Sequence, residues 1–275
     1  MGEGLNAVRG FFEAWQKFPP GCEHELFVIS KGWTEGHEKE ELKALAYENL
    51  AKIIELPDQG YDFGAYMRVL PNIKTEWICF LSTNSRPRVT GWLESLRLAA
   101  SIRDKAGLLG PAGSFGTLAG FPWPNNLFKN TRALLLFPLL PLRLFFHFVI
   151  YLKKIVDFPI FPNPHIRSAS FMIKKDLFTE FSALNKIPQT KYQAIKLEAG
   201  RKGMSKFVKV KGFDFLVVGA NGNIYEPSEW MNSKTFRNDA HENLLIEDRQ
   251  TQYYENINKK EKKKLEMAAW GKTFS

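Results

Sequence analysis

At 275 residues, 44% hydrophobic and 24% charged, the chain has the size and balance of one folded domain rather than of a disordered segment. Two cysteines are too few for a disulfide framework, and a net charge of +9 favours an anionic partner. No zinc-finger spacing or basic–aromatic repeat is present, which puts a nucleotide diphosphate or an acidic lipid surface ahead of nucleic acid.

Residues 2–18 carry Leu5, Val8, Phe11, Phe12 and Trp15 at helical spacing, and Pro19-Pro20-Gly21 ends that helix. With no basic start followed by an apolar core, the N-terminal stretch is not expected to act as a signal peptide. Glu25 to Ser30 suits a buried strand, residues 37–51 a charged helix, and Lys52 to Leu56 a second strand. Strand, helix, strand predicts a parallel α/β unit. A glycine-punctuated loop over 58–70 leads into a helix. A third strand, Glu76 to Leu81, runs into Ser82-Thr83-Asn84-Ser85-Arg86-Pro87. Trp92 to Arg103 reads as a helix and Ala106 to Leu109 as a short strand before a Gly/Ser/Pro loop over 110–126. Ligands of open α/β sheets bind beyond the carboxyl ends of strands, which points to segments 57–62 and 82–87.

Residues 131–162 stand apart. Between Ala133 and Leu152 the only formal charge is Arg143, yet Pro138 and Pro141 interrupt the run. Arg143, His147 and Lys154 fall near one line of a helix, the pattern of an element lying in a membrane interface. A helical hairpin packed on the domain is the second reading, and a true membrane span, which the length of the run permits, the third. Further on, Ser168 to Ile173 and Phe213 to Val218 read as strands, and Asn221-Gly222 signals a hairpin. Lys174-Lys175-Asp176 reads as a surface turn and Lys259 to Lys264 as a solvated helix face.

Three local patterns follow one another in a telling order: Gly60-Tyr61-Asp62-Phe63-Gly64-Ala65-Tyr66, then Trp77 to Pro87, then FPNPHIRSASFMIKKDLF over 161–178. Together with Thr190 to Gly203 they resemble bacterial glycosyltransferases of the GT-A type, family-2-like and rhamnan-synthesis-like. That resemblance implies a GT-A-like, Rossmann-like α/β fold with a mixed, mostly parallel sheet flanked by helices and an apolar helical insertion. It implies a single domain over 1–275, with a nucleotide-sugar side at 58–130, a membrane-surface insertion at 131–160 and an acceptor side with a helical tail at 161–275. Domains of this type open with a strand ahead of the first helix. This chain reads almost directly as the helix, so either the sheet is short by one strand or residues ahead of it are absent.

The implied activity is transfer of a sugar from a nucleotide-sugar donor to a saccharide acceptor, lipid-linked in one reading, in polysaccharide or lipopolysaccharide synthesis. The implied location is cytoplasmic, peripheral on the inner face of the cell membrane. The resemblance makes Gly60 and Asp62 nucleotide contacts, although Asp62 also suits the N-cap of a helix beginning near Phe63. Where the family carries Asp-x-Asp for a divalent metal such as Mn or Mg, this chain has Ser82-Thr83-Asn84. Ser82 and Asn84 can still meet the donor, and Asn84 can offer one carbonyl oxygen to a metal, but uncharged oxygens hold such ions weakly. Arg86 and Arg88 are cations able to neutralise a diphosphate in its place. Glu198 matches the family's general base, with Asp176 as runner-up, and His241 falls where relatives place a histidine touching metal or diphosphate. His165 is read as shaping the acceptor pocket, and Trp123 and Trp230 as sugar platforms or core. A binding protein of the same fold without catalysis, or a membrane-associated scaffold, are the competing readings.

Overall fold

The computed structural model describes residues 4–119, 140–238 and 240–274. In chain order the first half forms α1 (Leu5–Lys17), β1 (Phe27–Lys31), α2 (His37–Glu48), β2 (Lys52–Leu56), α3 (Tyr61–Val69), β3 (Trp77–Leu81), β4 (Arg86–Pro87), α4 (Trp92–Ile102), β5 (Ala106–Gly110) and β6 (Gly113–Ser114). The second half adds α5 (Leu140–Asp157), β7 (His165–Ile166), β8 (Ser170–Lys174), α6 (Lys175–Leu184), α7 (Lys191–Ala199), α8 (Met204–Val210) and β9 (Asp214–Val218). It closes with β10 (Ile224–Tyr225), β11 (Ile246–Glu247), α9 (Arg249–Asn256) and α10 (Lys259–Trp270).

Successive residues of a strand point to opposite faces, and the central strands use both. Ile78 and Phe80, Phe171 and Ile173, and Phe215 and Val217 enter one core with Phe63 and Phe178 of the helices on that side. Trp77 and Cys79, Met172, and Leu216 and Val218 pack against Trp92, Leu96 and Ala99 of α4 on the other. A sheet apolar on both faces must be covered on both, and the result is an α/β sandwich with helices flanking a central sheet.

The sheet has five strands in the order β10-β9-β5-β8-β3. Within it β5 and β9 are parallel, whereas β8 runs antiparallel to both β3 and β5 and β10 antiparallel to β9. The expectation of a mostly parallel sheet is therefore corrected: it is mixed. The strand–helix–strand pattern does give a parallel pair, β1 with β2. What a local pattern cannot foresee is that β8, from the second half of the chain, inserts between β3 and β5. Lys175 begins α6 directly after β8, so the surface turn expected at Lys174–Asp176 is a strand-to-helix junction.

Among the described residues β1 and β2 pair with each other and not with the larger sheet. A cavity of about 1330 Å³ separates them from β3, bounded by Phe12 and Trp15 of α1 and by Ala65 and Val69 of α3. The five-stranded sheet thus ends at β3, with a gap where a continuous sheet would carry on to β1.

The segment expected as an insertion includes α5, whose residues Phe148, Val149, Ile150, Leu152 and Val156 are exposed, Val156 to 72%. No helix among the described residues is long and apolar enough to cross a membrane. The stretch 131–139 and the side chains of Arg143 and His147, on which the basic stripe depends, lie outside the described residues. Lys154 falls in the last turn of α5.

Phe178 is fully buried and meets Phe80, Phe171 and Phe181 at ring-centroid distances of 4.9, 6.1 and 6.2 Å. Phe178→Ala is expected to cost about 3–5 kcal/mol in denaturant unfolding. Phe148→Ala, on the exposed face of α5, is expected to stay within about 0.5 kcal/mol of the parent. Equal losses for the two would contradict this assignment of the core.

Candidate functional site

Two chain reversals bring the site together. The first follows β2, where Gly60 caps α3 in the left-handed conformation at φ 86°. A side chain there would also collide with Ile187 and the Gly64 backbone, so glycine is required twice over. This turn places Asp62 in the first helical turn, with Gly60 rather than Asp62 as the cap. Asp62 is exposed and lines the cavity together with Gly60 and Lys31. The Lys31 ammonium donates to the Tyr61 carbonyl at 3.0 Å.

The second reversal closes β3. Ser82 N–H donates to the Ala169 carbonyl at 2.8 Å, and the buried Ser85 hydroxyl donates to the same carbonyl at 2.9 Å. Ser82 and Ser170 each bond the Ser85 hydroxyl at 2.9 Å. Ser82 and Thr83 line the same cavity as Gly60 and Asp62, so the loops after β2 and β3 meet at one mouth. Asn84 is half-buried and is not among the residues lining it.

Behind the mouth lies Tyr66, one helical turn beyond Asp62. Its hydroxyl is buried without a hydrogen-bond partner. Burial pushes its pKa well above the ordinary value, and the charges of Asp62, Cys79 and Glu198 raise it further. An orphaned phenol on the wall of a cavity is a ready donor or acceptor for a ligand; of the two candidate carboxylates, Asp62 lines that cavity and Glu198 does not.

Glu198, near the end of α7, is fixed rather than free. Ser168 Oγ donates to its Oε2 at 2.6 Å, and its Oε1 lies 3.9 Å from Nε2 of His165. The other imidazole nitrogen of His165, Nδ1, sits 2.8 Å from the Asn163 carbonyl. A carbonyl only accepts, so Nδ1 carries the proton and neutral His165 turns a bare Nε2 toward the carboxylate. Burial lowers the pKa of His165, and Glu198 opposes that shift in part.

The remaining sequence candidates go elsewhere. The Arg86 guanidinium packs directly on Gly10 of α1. Arg88 is held by Glu255 at 2.8 Å. His241 is buried, with Nε2 accepting the Arg237 N–H at 2.8 Å and Nδ1 facing Glu255 at 3.1 Å. Both ring nitrogens are thus engaged by the protein and no lone pair is left for a metal, which corrects the metal reading of His241. Asp176 lies in the first turn of α6. Trp230 is core, 1% exposed, its indole N–H bonded to the Tyr225 carbonyl at 3.0 Å. Trp123 lies outside the described residues.

The donor set decides whether Mn or Mg fits. Hard divalent ions take several oxygens, carboxylates among them. The turn after β3 offers neutral oxygens, and its serine hydroxyls are bonded to one another. No group of three or more His, Cys, Asp or Glu able to hold a metal occurs among the described residues. The residues present do not fit such an ion.

The structure adds residues the sequence reading did not single out. Arg167 is buried and donates to Asp248 at 2.7 Å, while Arg167 and Arg237 both donate to Gln250 Oε1, at 3.0 and 3.1 Å. Arg167 and Ser168 sit inside the 161–178 segment, next to positions that were noticed. Their role shows only once β8 is laid beside β3.

No family model matches the chain, and no curated protein matches it. Among solved structures it is similar to a CMP:2-keto-3-deoxy-manno-octonic acid synthetase complexed with CTP, at 8% identity over 77% of each chain and a TM-score of 0.40. A likeness at that level settles neither fold nor activity.

Protonation supplies a check on this geometry. His165 and His241 both titrate below the usual 6.5, chiefly through burial. The unfolded chain therefore binds more protons than the folded one just below that value. The stability they contribute is complete above about pH 6.5 and is lost as pH falls through the folded pKa values. Thermal unfolding is expected to shift downward from about pH 7.5 to about pH 5.5, and less so in His241→Gln. A melting temperature that is flat or rises on acidification would contradict the buried, neutral histidines.

Proposed function

We propose that this protein is a GT-A-like glycosyltransferase that moves a sugar from a nucleotide-sugar donor to a saccharide acceptor. The observation that carries the reading is the shared mouth, where Gly60 and Asp62 after β2 meet Ser82 and Thr83 after β3 on one cavity. Two strand ends of an α/β sandwich opening on one cleft is the usual seat of a nucleotide. Asp62 is suited to a base or ribose hydroxyl, and Tyr66 brings an unsatisfied hydroxyl to the same wall.

In this reading Glu198 acts as the general base. An acceptor oxygen bonds to the anomeric carbon as the bond from that carbon to the diphosphate breaks. The electron pair leaves on the diphosphate, and the acceptor proton passes to the carboxylate. Ser168 holds that carboxylate in place through its 2.6 Å bond. A binding protein without turnover remains a second reading, favoured by the serine network that replaces carboxylates at the turn after β3. The exposed apolar face of α5 and the excess of basic residues support a peripheral seat on an anionic membrane, which suits a lipid-linked acceptor.

A thermal-shift panel of UDP, GDP, CMP and dTDP sugars should give at least one stabilising donor, and Glu198→Gln should retain its binding while losing transfer or donor hydrolysis by about 100-fold or more. No response to any donor would end the reading, and unchanged turnover in Glu198→Gln would remove Glu198 as the base. On anionic liposomes, Leu152→Glu with Val156→Glu is expected to weaken flotation by at least about tenfold. Equal flotation of parent and variant would refute the membrane seat.

A further inference from the structure

Next to the turn that closes β3, two arginines converge on one neutral oxygen. Arg167 and Arg237 lie against the ring of Phe236, at 4.4 and 4.9 Å from its centroid, and both donate to Gln250 Oε1 at 3.0 and 3.1 Å. Asp248 balances one of them, through Arg167 Nη2 at 2.7 Å. Arg237 has no ion pair among the described residues; its other contact is the Leu265 carbonyl at 3.4 Å. The Nε atoms of both arginines are buried without an acceptor. Burial, and then the neighbouring Arg167 charge, pull the pKa of Arg237 down to about 10.

Asp248 attracts both guanidiniums and Glu198 attracts Arg167, but of the two only Arg167 makes an ion pair among the described residues, and the oxygen at the focus of the two arginines is an amide. An anionic oxygen in the same place would turn two ordinary hydrogen bonds into charge-assisted ones and relieve the repulsion between the guanidiniums. Gln250 is exposed, in the first turn of α9, so its side chain can swing aside without any change in the backbone. Arg167, Arg237 and Gln250 do not line the cavity itself; the turn after β3 is what links them to it. β11 pairs with β4 so that Glu247 lies opposite Arg86, which sets Asp248 beside the turn after β3. Arg167 directly precedes Ser168, which holds Glu198.

We propose that Arg167 and Arg237 form a phosphate clamp, closed by Gln250 in the free protein, that takes the donor's diphosphate without a divalent metal. This rests on the nucleotide-sugar reading and names the groups that carry its charge. It takes the place of Arg88, which Glu255 holds, and of Arg86, which lies against Gly10 of α1.

The test is calorimetric titration with inorganic pyrophosphate in EDTA. The parent protein is expected to bind it, more weakly as salt rises. Arg237→Gln should weaken binding by about tenfold or more, while its melting temperature holds or rises, because one of two repelling charges is gone. Gln250→Ala should bind at least as tightly as the parent. No binding in EDTA, binding that appears only with manganese, or equal affinity in Arg237→Gln would overturn the clamp. The two proposals can fail separately. Pyrophosphate binding lost in Arg237→Gln, with no nucleotide sugar bound, keeps the clamp and removes the donor. Nucleotide-sugar binding unaffected by Arg237→Gln keeps the donor and removes the clamp.

Discussion

The antiparallel ladder between β3 and β8 is the constraint on which the candidate site depends. Its last pair, Leu81 with Ser170, sets the turn after β3 against the loop ahead of β8, and Ser82 and Ser85 then bond the Ala169 carbonyl. From that junction the residues fan out. Ser168 reaches Glu198 and Arg167 reaches Asp248, while Ser82 and Thr83 look onto the cavity shared with Asp62. A slip of one residue in this ladder would turn every side chain of β3 to the opposite face. Ile78 and Phe80 would leave the core and the serines would leave their carbonyl. The aromatic cluster around Phe80, Phe171 and Phe178 therefore does more than stabilise the fold, because it fixes the register that assembles the polar groups.

Charge is handled in an economical way around this junction. Buried ions are tolerated where they are paired, and Arg167 with Asp248 follows that rule. Arg237 departs from it, and Tyr66 adds a neutral hydroxyl buried without a partner. Buried polar groups without a partner are where a ligand has most to offer, although Arg86 Nε, Trp92 Nε1 and Asn163 Oδ1 also lack one. Tyr66 stands on the wall of the cavity, and Arg237 shares Gln250 with Arg167, the residue before the serine that holds Glu198.

Much of the element order was legible in the sequence, because local patterns are short-range. Lys52–Leu56 appears as read, and the helices near 5–17 and 92–102 and the strand at 77–81 differ from their expected limits by three residues or fewer. Gly60, too, announced its turn, although the cap proved to be the glycine and not Asp62. What the sequence could not show was long-range. The place of β8 between β3 and β5 decides both the mixed character of the sheet and the company Glu198 keeps, and it links residues more than eighty apart. The same limit explains the arginines. Arg86 and Arg88 looked right because they are close in sequence to Asn84, but one packs on α1 and the other meets Glu255. Arg237, distant in sequence, lies beside Arg167 instead. His241 looked like a ligand by position and proved to be a structural bracket between Arg237 and Glu255.

The central claim is that the mouth at Asp62 and Ser82, the Glu198 carboxylate and the Arg167–Arg237 pair serve one bound donor. Photoaffinity labelling with a base-azido nucleotide sugar, followed by peptide mapping, tests it most directly. The account predicts labelling within residues 58–70 or 77–91 that excess unlabelled donor suppresses. Specific labelling confined to α10 or to the β9–β10 hairpin, with the mouth untouched, would contradict it.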